Sequence, residues 1–204
     1  MSYMQHLQKD RKLSSIIHEP IAPLQVRSNH VLRLMASIIS QQLSTTVAKV
    51  IYARFLGLYG DKEPTPADVL GSSVEELRSI GLSNAKTQYV QNVARFCIEE
   101  KLTNKRLQKL GNEELLALLT QIKGVGRWTV EMLLMFSLGR EDVFAVDDLG
   151  IQQSMCRLYK IDATDKKAMR VRMLKIAERW APFRTYACLH LWKWKDTPAL
   201  KTAK

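Results

Sequence analysis

The spacing of apolar residues constrains this chain more than any other feature, because they recur at intervals of three and four. That spacing marks one face of an α-helix. The chain has no Asn-Gly hairpin dipeptide and no β-branched alternation long enough for a strand. The sequence therefore predicts an all-α fold. Helices are expected near residues 30–40, 45–59, 84–99, 112–121, 127–138, 149–159, 166–179 and 183–194, after an N-terminal helix and arm in residues 1–27.

The chain is strongly basic, with 31 lysine and arginine residues against 20 aspartate and glutamate residues and a formal net charge of +11. Such a charge favours a polyanionic partner, and nucleic acid is favoured over a membrane surface. No stretch approaches ~18 uninterrupted apolar residues and the N-terminus lacks a secretory signal, so no membrane association is expected. We expect a cytoplasmic, nucleoid-associated protein if the source is bacterial and a nuclear protein if it is eukaryotic.

The three cysteines, Cys97, Cys156 and Cys188, are odd in number and far apart. This pattern argues against a disulfide framework, a zinc site and an iron–sulfur cluster. Buried thiols in a reducing compartment are the expected state of all three.

A short glycine turn, Gly124-Val125-Gly126, separates two predicted helices. Glycines there permit positive φ and the close approach of another backbone. The first turn of the second helix leaves unpaired amide groups and a positive dipole end, for which phosphate is the natural ligand. Lys123 and Arg127 flank the turn and add charge. A plain αα-hairpin would show the same glycine turn, so the turn alone does not establish DNA binding.

Two aspartates, Asp147 and Asp148, follow this hairpin in the segment FAVDDLGI, where a loop leads into a helix. The simplest role for the pair is to cap that helix and to interact with its dipole. However, QIKGVGRWTVEMLL followed by VFAVDDLGI resembles the hairpin-and-aspartate signature of the HhH-GPD (helix-hairpin-helix) DNA glycosylase superfamily. Further segments at 36–55, 81–94 and 177–194 extend the resemblance over most of the chain. Together they are similar to the 3-methyladenine DNA glycosylase II group.

The resemblance implies a two-lobed helical HhH-GPD fold with an active-site cleft between the lobes. The chain 1–204 would then form a single compact unit of two interleaved lobes. The central lobe would contain about residues 30–135, including the hairpin 113–138. The N-terminal arm 1–29 would join residues 139–204 in the second lobe. The implied partner is double-stranded DNA with alkylated bases. We expect the protein to be a monomer.

The resemblance implies that Asp148 is the catalytic carboxylate. Breaking an N-glycosidic bond leaves positive charge on the deoxyribose, and an ionised carboxylate stabilises that charge and orients the attacking water. No catalytic metal or organic cofactor is required. Many relatives have proline just before the aspartate pair, where Val146 stands here. In strand-cleaving relatives a lysine nucleophile lies just beyond the hairpin glycines, where this chain has Arg127-Trp128-Thr129. Since arginine does not deprotonate to serve as that amine, a hydrolase without lyase activity is predicted.

Aromatic side chains are expected to form the base pocket, because an electron-rich ring face attracts a cationic alkylated purine. Each of them taken singly is more often a core residue. Met132 stands where relatives have a tyrosine, so the selectivity of the pocket is expected to differ. The pocket residues implied by the resemblance are Trp128, Trp192, Met132 and Tyr186.

The resemblance also implies DNA contacts and an ion site. Gln42 would fill the gap left by the flipped nucleotide, with Leu43 beside it, although a polar pair capping the next helix is an equal alternative. The remaining implied DNA contacts are Lys123, Gly124, Val125, Gly126 and Arg127. The backbone carbonyls of Thr120, Ile122 and Val125 would hold a monovalent cation, Na⁺ or K⁺.

Two functions therefore compete. One is a monofunctional glycosylase that removes alkylated purines from duplex DNA and initiates base excision repair. The other is a noncatalytic helix-hairpin-helix module that binds DNA. The aspartate and the aromatic set favour the enzyme, since phosphate binding requires neither.

Overall fold

The computed structural model describes residues 2–197, and every regular element among them is helical. This part of the chain contains thirteen α-helices and one 3₁₀-helix, Glu178–Trp180, which confirms the all-α prediction. The α-helices are α1 (Tyr3–Leu7), α2 (Arg11–Ser14), α3 (His30–Ser40), α4 (Thr45–Gly57), α5 (Pro66–Gly71), α6 (Val74–Ser79), α7 (Asn84–Glu99), α8 (Asn104–Lys109), α9 (Asn112–Leu119), α10 (Arg127–Phe136), α11 (Leu149–Tyr159), α12 (Lys166–Ala177) and α13 (Arg184–Lys195).

All eight helices predicted from apolar spacing are present, as α3, α4, α7 and α9 to α13, and their ends lie within two residues of the predicted ones. Side-chain caps define several of the starts. Ser44 accepts a hydrogen bond from the amide of Val47, and Ser83 accepts one from the amide of Lys86. Serine is favoured at this position because its oxygen satisfies an amide that has no partner within the helix.

The five helices that the spacing did not predict, α1, α2, α5, α6 and α8, are too short for the apolar period to repeat. Each starts at a capping side chain, and Ser2, Thr65 and Ser73 form reciprocal capping boxes. The prediction of one N-terminal helix is wrong. Asp10 accepts hydrogen bonds from the amides of Lys12 and Leu13 and starts a second helix there.

The helices group into two units. The hairpin unit is Val26–Leu138, and the terminal unit combines Met1–Gln25 with Gly139–Lys204. In the hairpin unit, α3 packs against α4, α7 and α10. Residues Thr129 to Met135 of α10 are buried, which confirms that this nearly apolar helix lies in the interior. Its acidic residue, Glu131, accepts a 2.8 Å hydrogen bond from Arg127 Nε, so the buried charge is paired.

The terminal unit is centred on Trp180, which is fully buried. Its indole Nε1 donates to Asp10 Oδ2 at 3.2 Å, and its ring meets Phe144 edge-on with centroids 5.7 Å apart. Leu7 and Leu13 are also fully buried, so the N-terminal segment is part of this core. Helix α11 packs against α12 and α13, and this packing brings the start of α11 beside α13.

Two of the three cysteines are buried as predicted, Cys97 and Cys188. Cys156 is only half-buried, because α11 turns Met155 rather than its neighbour toward the core. Burial raises the pKa of the Cys97 thiol to about 12, which disfavours the thiolate form. Among residues 2–197, no helix combines the length and the apolar content needed to cross a membrane.

Candidate active site and nucleic-acid interface

The side chain of Asp148 is oriented by two donors at the start of α11. Its Oδ1 accepts a hydrogen bond from the amide of Ile151 at 2.9 Å and another from Trp192 Nε1 at 2.8 Å. The residue is half-buried. Both donors and the positive end of the helix dipole are complementary to a negative charge at this position. The carboxylate is therefore held in one orientation without being removed from solvent.

Gly150 makes room for this arrangement. A Cβ atom at Gly150 would lie 3.1 Å from Asp148 Oδ1, 3.2 Å from Trp192 Cδ1 and 3.0 Å from Lys195 Cε. All three distances are shorter than ordinary van der Waals contact, so a side chain here would push against the carboxylate and the indole. Sequence reasoning missed Gly150. Its signal was a glycine inside the first turn of a helix, where glycine is a poor helix former.

Asp147 has a different environment from its neighbour. It is exposed, and its Oδ1 lies 2.6 Å from Arg170 NH1 in an ion pair. The loop before it is held by the amide of Asp148, which donates to Ala145 O at 3.1 Å, and by Gln152 Nε2, which donates to Val146 O at 3.0 Å. Val146 is itself buried. Core packing and hydrogen bonds thus fix the loop without a proline at position 146.

The glycine turn between α9 and α10 needs glycine at one position. Gly124 has φ +102°, and a Cβ there would lie 2.1 Å from Tyr89 Cγ. The turn is closed by the amide of Val125, which donates to Ile122 O at 2.9 Å. Gly126 has φ −95°, which any residue adopts, so the prediction of positive φ holds for Gly124 alone. The close approach at Gly124 also comes from an aromatic ring rather than from another backbone.

The start of α10 presents unused donors. Gly126 provides no side-chain cap, and a Cβ on it would meet no atom within 4 Å. Within residues 2–197, the backbone amides of Gly126 and Arg127 form no hydrogen bond. The Lys123 side chain is exposed beside the turn. The Arg127 guanidinium is half-exposed and already bonded to Glu131, so its first role is to neutralise that buried carboxylate.

The segment after α3 contains a residue in a strained conformation. Gln42 is exposed and has φ +58°, and Leu43 is half-buried. Left-handed backbone is uncommon outside glycine and is found at functional positions. Ser44, rather than Gln42, caps the following helix through its hydroxyl. The equal alternative, that the polar pair caps α4, therefore does not apply to Gln42.

Gln41, which sequence reasoning missed, ties this segment to the hairpin. Its Nε2 donates to Thr129 Oγ1 at 3.0 Å and to Gly124 O at 3.4 Å. Lys86 completes the support, because its Nζ donates to Ile39 O at 2.8 Å and to Gln41 O at 2.7 Å. Partial burial lowers the pKa of Lys86. The backbone below Gln42 is thus held from two helices.

A pocket of about 480 Å³ lies between α3 and α10 in the hairpin unit. It brings together two of the predicted base-pocket residues, Trp128 and Met132, and adds Phe136 one turn further along α10. Trp128, Met132 and Phe136 follow one another at four-residue intervals on α10, so the sequence contained a signal for Phe136 that the prediction missed. The opposite wall carries mostly polar side chains. Its residues are Arg27, Arg33, Ala36, Ser37 and Ser40, and Leu133 and Ser137 complete the lining.

The other two predicted pocket residues belong to the terminal unit. Trp192 is half-buried and contacts Asp148 as described above. Tyr186 is buried, and its role in the base pocket stays a prediction. Its ring is only 4% exposed and stacks on Tyr3 with centroids 4.0 Å apart, and its hydroxyl donates to Glu141 Oε1 at 3.0 Å. Burial raises the pKa of Tyr186. The N-terminal segment covers this ring, and no local sequence pattern indicates such a long-range contact.

The carbonyls predicted to hold a monovalent cation lie around the turn. Ile122 O accepts the hydrogen bond from the Val125 amide. In the described part of the chain, the carbonyl oxygens of Thr120 and Val125 accept no hydrogen bond, so they retain their lone pairs. Neutral oxygens of this kind suit a hard cation of low charge. Residues 2–197 contain no group of three or more His, Cys, Asp or Glu side chains that could hold a metal ion.

Comparison with known proteins identifies relatives in one repair family. Residues 35–181 match the family model described as HhH-GPD superfamily base excision DNA repair protein. The chain is 40% identical over 162 residues to DNA-3-methyladenine glycosylase 1 of Schizosaccharomyces pombe, across 78% of this chain and 70% of that protein.

Solved structures give the same result. A 3-methyladenine DNA glycosylase of S. pombe in complex with abasic DNA aligns with a TM-score of 0.84 and 33% identity, over 95% of this chain and 96% of that one. A DNA-3-methyladenine glycosidase of Bacillus halodurans aligns with a TM-score of 0.77 and 35% identity, over 95% of this chain and 88% of that one.

Proposed function

Because the chain belongs to the HhH-GPD superfamily of base excision DNA repair proteins, we propose that it is a monofunctional DNA glycosylase acting on alkylated purines of the 3-methyladenine type in duplex DNA. The observation that carries this proposal is the carboxylate of Asp148, which a helix cap and the Trp192 indole hold in one orientation. The names of the relatives support the substrate class. We propose that the protein acts as a monomer, in the nucleoid if the source is bacterial and in the nucleus if it is eukaryotic.

Asp148 would act on the sugar of the damaged nucleotide. As the C–N bond breaks, positive charge develops on C1′ and the ring oxygen, and a fixed carboxylate stabilises it. Water then forms the new C–O bond at C1′ and gives up a proton, for which the carboxylate is the nearest base in this proposal. A purine alkylated at N3 or N7 carries a positive charge and leaves as a neutral base. It therefore needs no general acid, which agrees with a single essential carboxylate.

The pocket between α3 and α10 would receive the base. Trp128 offers a ring face that attracts a cationic purine, and Met132 offers a polarisable contact. Trp192 would serve mainly through its hydrogen bond to Asp148. The selectivity among alkylated bases would follow from the apolar wall on α10 and the polar wall on α3.

The glycine turn would bind a DNA phosphate. The amides of Gly126 and Arg127 point from the start of α10, where the helix dipole favours an anion, and Lys123 adds a mobile charge. Gly124 and Val125 shape the turn. A Na⁺ or K⁺ ion held by the carbonyls of Thr120, Ile122 and Val125 would add positive charge beside the same phosphate.

Gln42 would fill the space that the flipped nucleotide leaves in the duplex, with Leu43 beside it. The support for this role is its exposure and its left-handed backbone, held below by Gln41 and Lys86. The absence of lyase activity would follow from the segment Arg127-Trp128-Thr129, which offers no lysine amine just beyond the hairpin glycines. Its one cationic residue, Arg127, pairs with Glu131.

The proposal is tested by incubating the purified protein with duplex DNA treated with a methylating agent. We expect release of alkylated purine bases, measured by chromatography, and abasic sites that become strand breaks only after alkali. Breaks without alkali would contradict the absence of lyase activity. Tight, salt-sensitive binding with no base release would instead identify a noncatalytic DNA-binding module.

A further inference from the structure

A second pocket, of about 290 Å³, lies within the terminal unit. It is formed where the start of α2, the end of α11 and the second half of α12 meet, together with the 3₁₀-helix Glu178–Trp180. Among the described residues that line this pocket, Asp10 is the one acidic residue. Its cationic lining residues are Arg11, Lys12, Arg172 and Arg179.

The carboxylate of Asp10 does not neutralise these four cations. It is 8% exposed, and its oxygens accept hydrogen bonds from two backbone amides of α2 and from the indole of Trp180. Arg179 NH2 lies 3.7 Å from Asp10 Oδ2. Because the guanidinium group is exposed, solvent screens the attraction between the two charges. Asp10 is thus used to build α2 and to hold Trp180, and it leaves the pocket with an excess of positive charge.

Within the described residues, the other three cations form no ion pair with an acidic side chain. Lys12 Nζ donates to Tyr159 O at 3.3 Å and lies 5.4 Å from the centre of the Tyr159 ring. Within residues 2–197, the Arg11 and Arg172 side chains form no hydrogen bond or ion pair. Like charges that converge on one concave surface repel one another, and a bound anion removes that repulsion.

This pocket is separate from the candidate active site. Asp148 caps the first turn of α11 and Tyr159 is its last residue, so the two are about 16 Å apart at ~1.5 Å per residue along the helix. Because α11 is a continuous helix packed against α12 and α13, the separation is fixed by the fold.

We propose that the pocket binds a phosphate-bearing anion through the guanidinium groups of Arg11 and Arg172, together with the cationic side chains of Lys12 and Arg179. Guanidinium groups bind phosphate oxygens in pairs, and two of them facing one cavity suit a phosphoryl group. The volume lies at the lower limit of ligand pockets and fits a phosphoryl group or a short polyphosphate. The phosphate belongs either to a DNA strand or to a small phosphorylated molecule. The site does not depend on the proposed glycosylase activity.

The test compares two double variants. Arg11→Gln with Arg172→Gln removes the two guanidinium groups from the pocket. Lys166→Gln with Lys167→Gln removes the same charge from exposed residues of α12 that do not line it. Inorganic pyrophosphate is titrated into each protein by calorimetry at low ionic strength. We expect binding to be weakened about 10-fold or more in the pocket variant and less than about twofold in the control.

Undamaged duplex DNA distinguishes the two sources of phosphate. If the phosphate belongs to DNA, the pocket variant alone should lower the salt dependence of duplex binding, by a slope of about 0.9 for each lost contact. If it belongs to a small molecule, pyrophosphate binding should fall and the duplex slope should equal that of the control. Equal behaviour of both variants in both titrations would overturn the proposal. Base release from methylated DNA is measured separately, so failure of the glycosylase function leaves this result readable.

Discussion

The carboxylate site of the terminal unit depends on side chains, whereas the glycine turn of the hairpin unit depends on the backbone. At the first, side chains matter, since Asp148 is held by the indole of Trp192 and by a helix cap. At the second, the backbone matters, since the donors are amides and Gly124 serves through its φ angle. Substitutions should therefore act through chemistry at the carboxylate and through conformation at the turn.

The largest effect is expected at the carboxylate itself. Asp148→Asn keeps the shape and a cap but removes the negative charge, so the turnover of methylated DNA should fall by roughly 10²-fold or more. Affinity for duplex DNA should not fall, because losing a negative charge does not weaken attraction to phosphate. Full turnover in this variant would show that Asp148 is not the catalytic carboxylate.

At the turn, Gly124→Ala should act on stability. The left-handed φ costs ~1–2 kcal/mol for a residue with a Cβ, and the Tyr89 ring must also move, so Tm should drop by roughly 5–10 °C. The matched control is Gly126→Ala, where φ is ordinary and the space is open, and its Tm should stay within about 2 °C. An equal drop in Tm in the two variants would show that the left-handed backbone at Gly124 is not what makes this glycine necessary.

A smaller effect is expected at Trp192. Trp192→Phe keeps a ring but loses the Nε1 donor to Asp148, and a hydrogen bond to a charged group is worth enough to lower turnover by about 10-fold. Trp194→Phe on the same helix is the control, because that ring lies against Arg157 and is expected to leave turnover unchanged. Single-turnover base release measures both. No difference between them would mean that the indole does not orient the carboxylate.

The smallest effect is expected at Gly150. Alanine favours the helix by up to ~1 kcal/mol but crowds Asp148 and Trp192, so Tm should change little while turnover falls about three- to tenfold. Unchanged turnover, measured on the same methylated duplex, would show that the carboxylate tolerates displacement.

The helices and the position of the aspartate pair at a helix start could be predicted from sequence because their signals are local. Apolar spacing located eight helices to within two residues, and the aspartate pair was placed at the start of α11. The environments of the pair could not be predicted. Asp148 meets Trp192 and Asp147 meets Arg170 only because α12 and α13 pack against α11. The burial of Tyr186 could not be predicted for the same reason, since Tyr3 stacks on it from the other end of the chain.

The sequence by itself determined the all-α fold, the glycine turn and the presence of a carboxylate at a helix start, because periodicity, capping and turn chemistry act over a few neighbouring residues. Only the tertiary structure decided which aspartate is oriented by an indole, which glycine needs a left-handed backbone and which cations share a pocket. Those outcomes depend on contacts between residues far apart in the chain, and only packing of the helices brings such residues together.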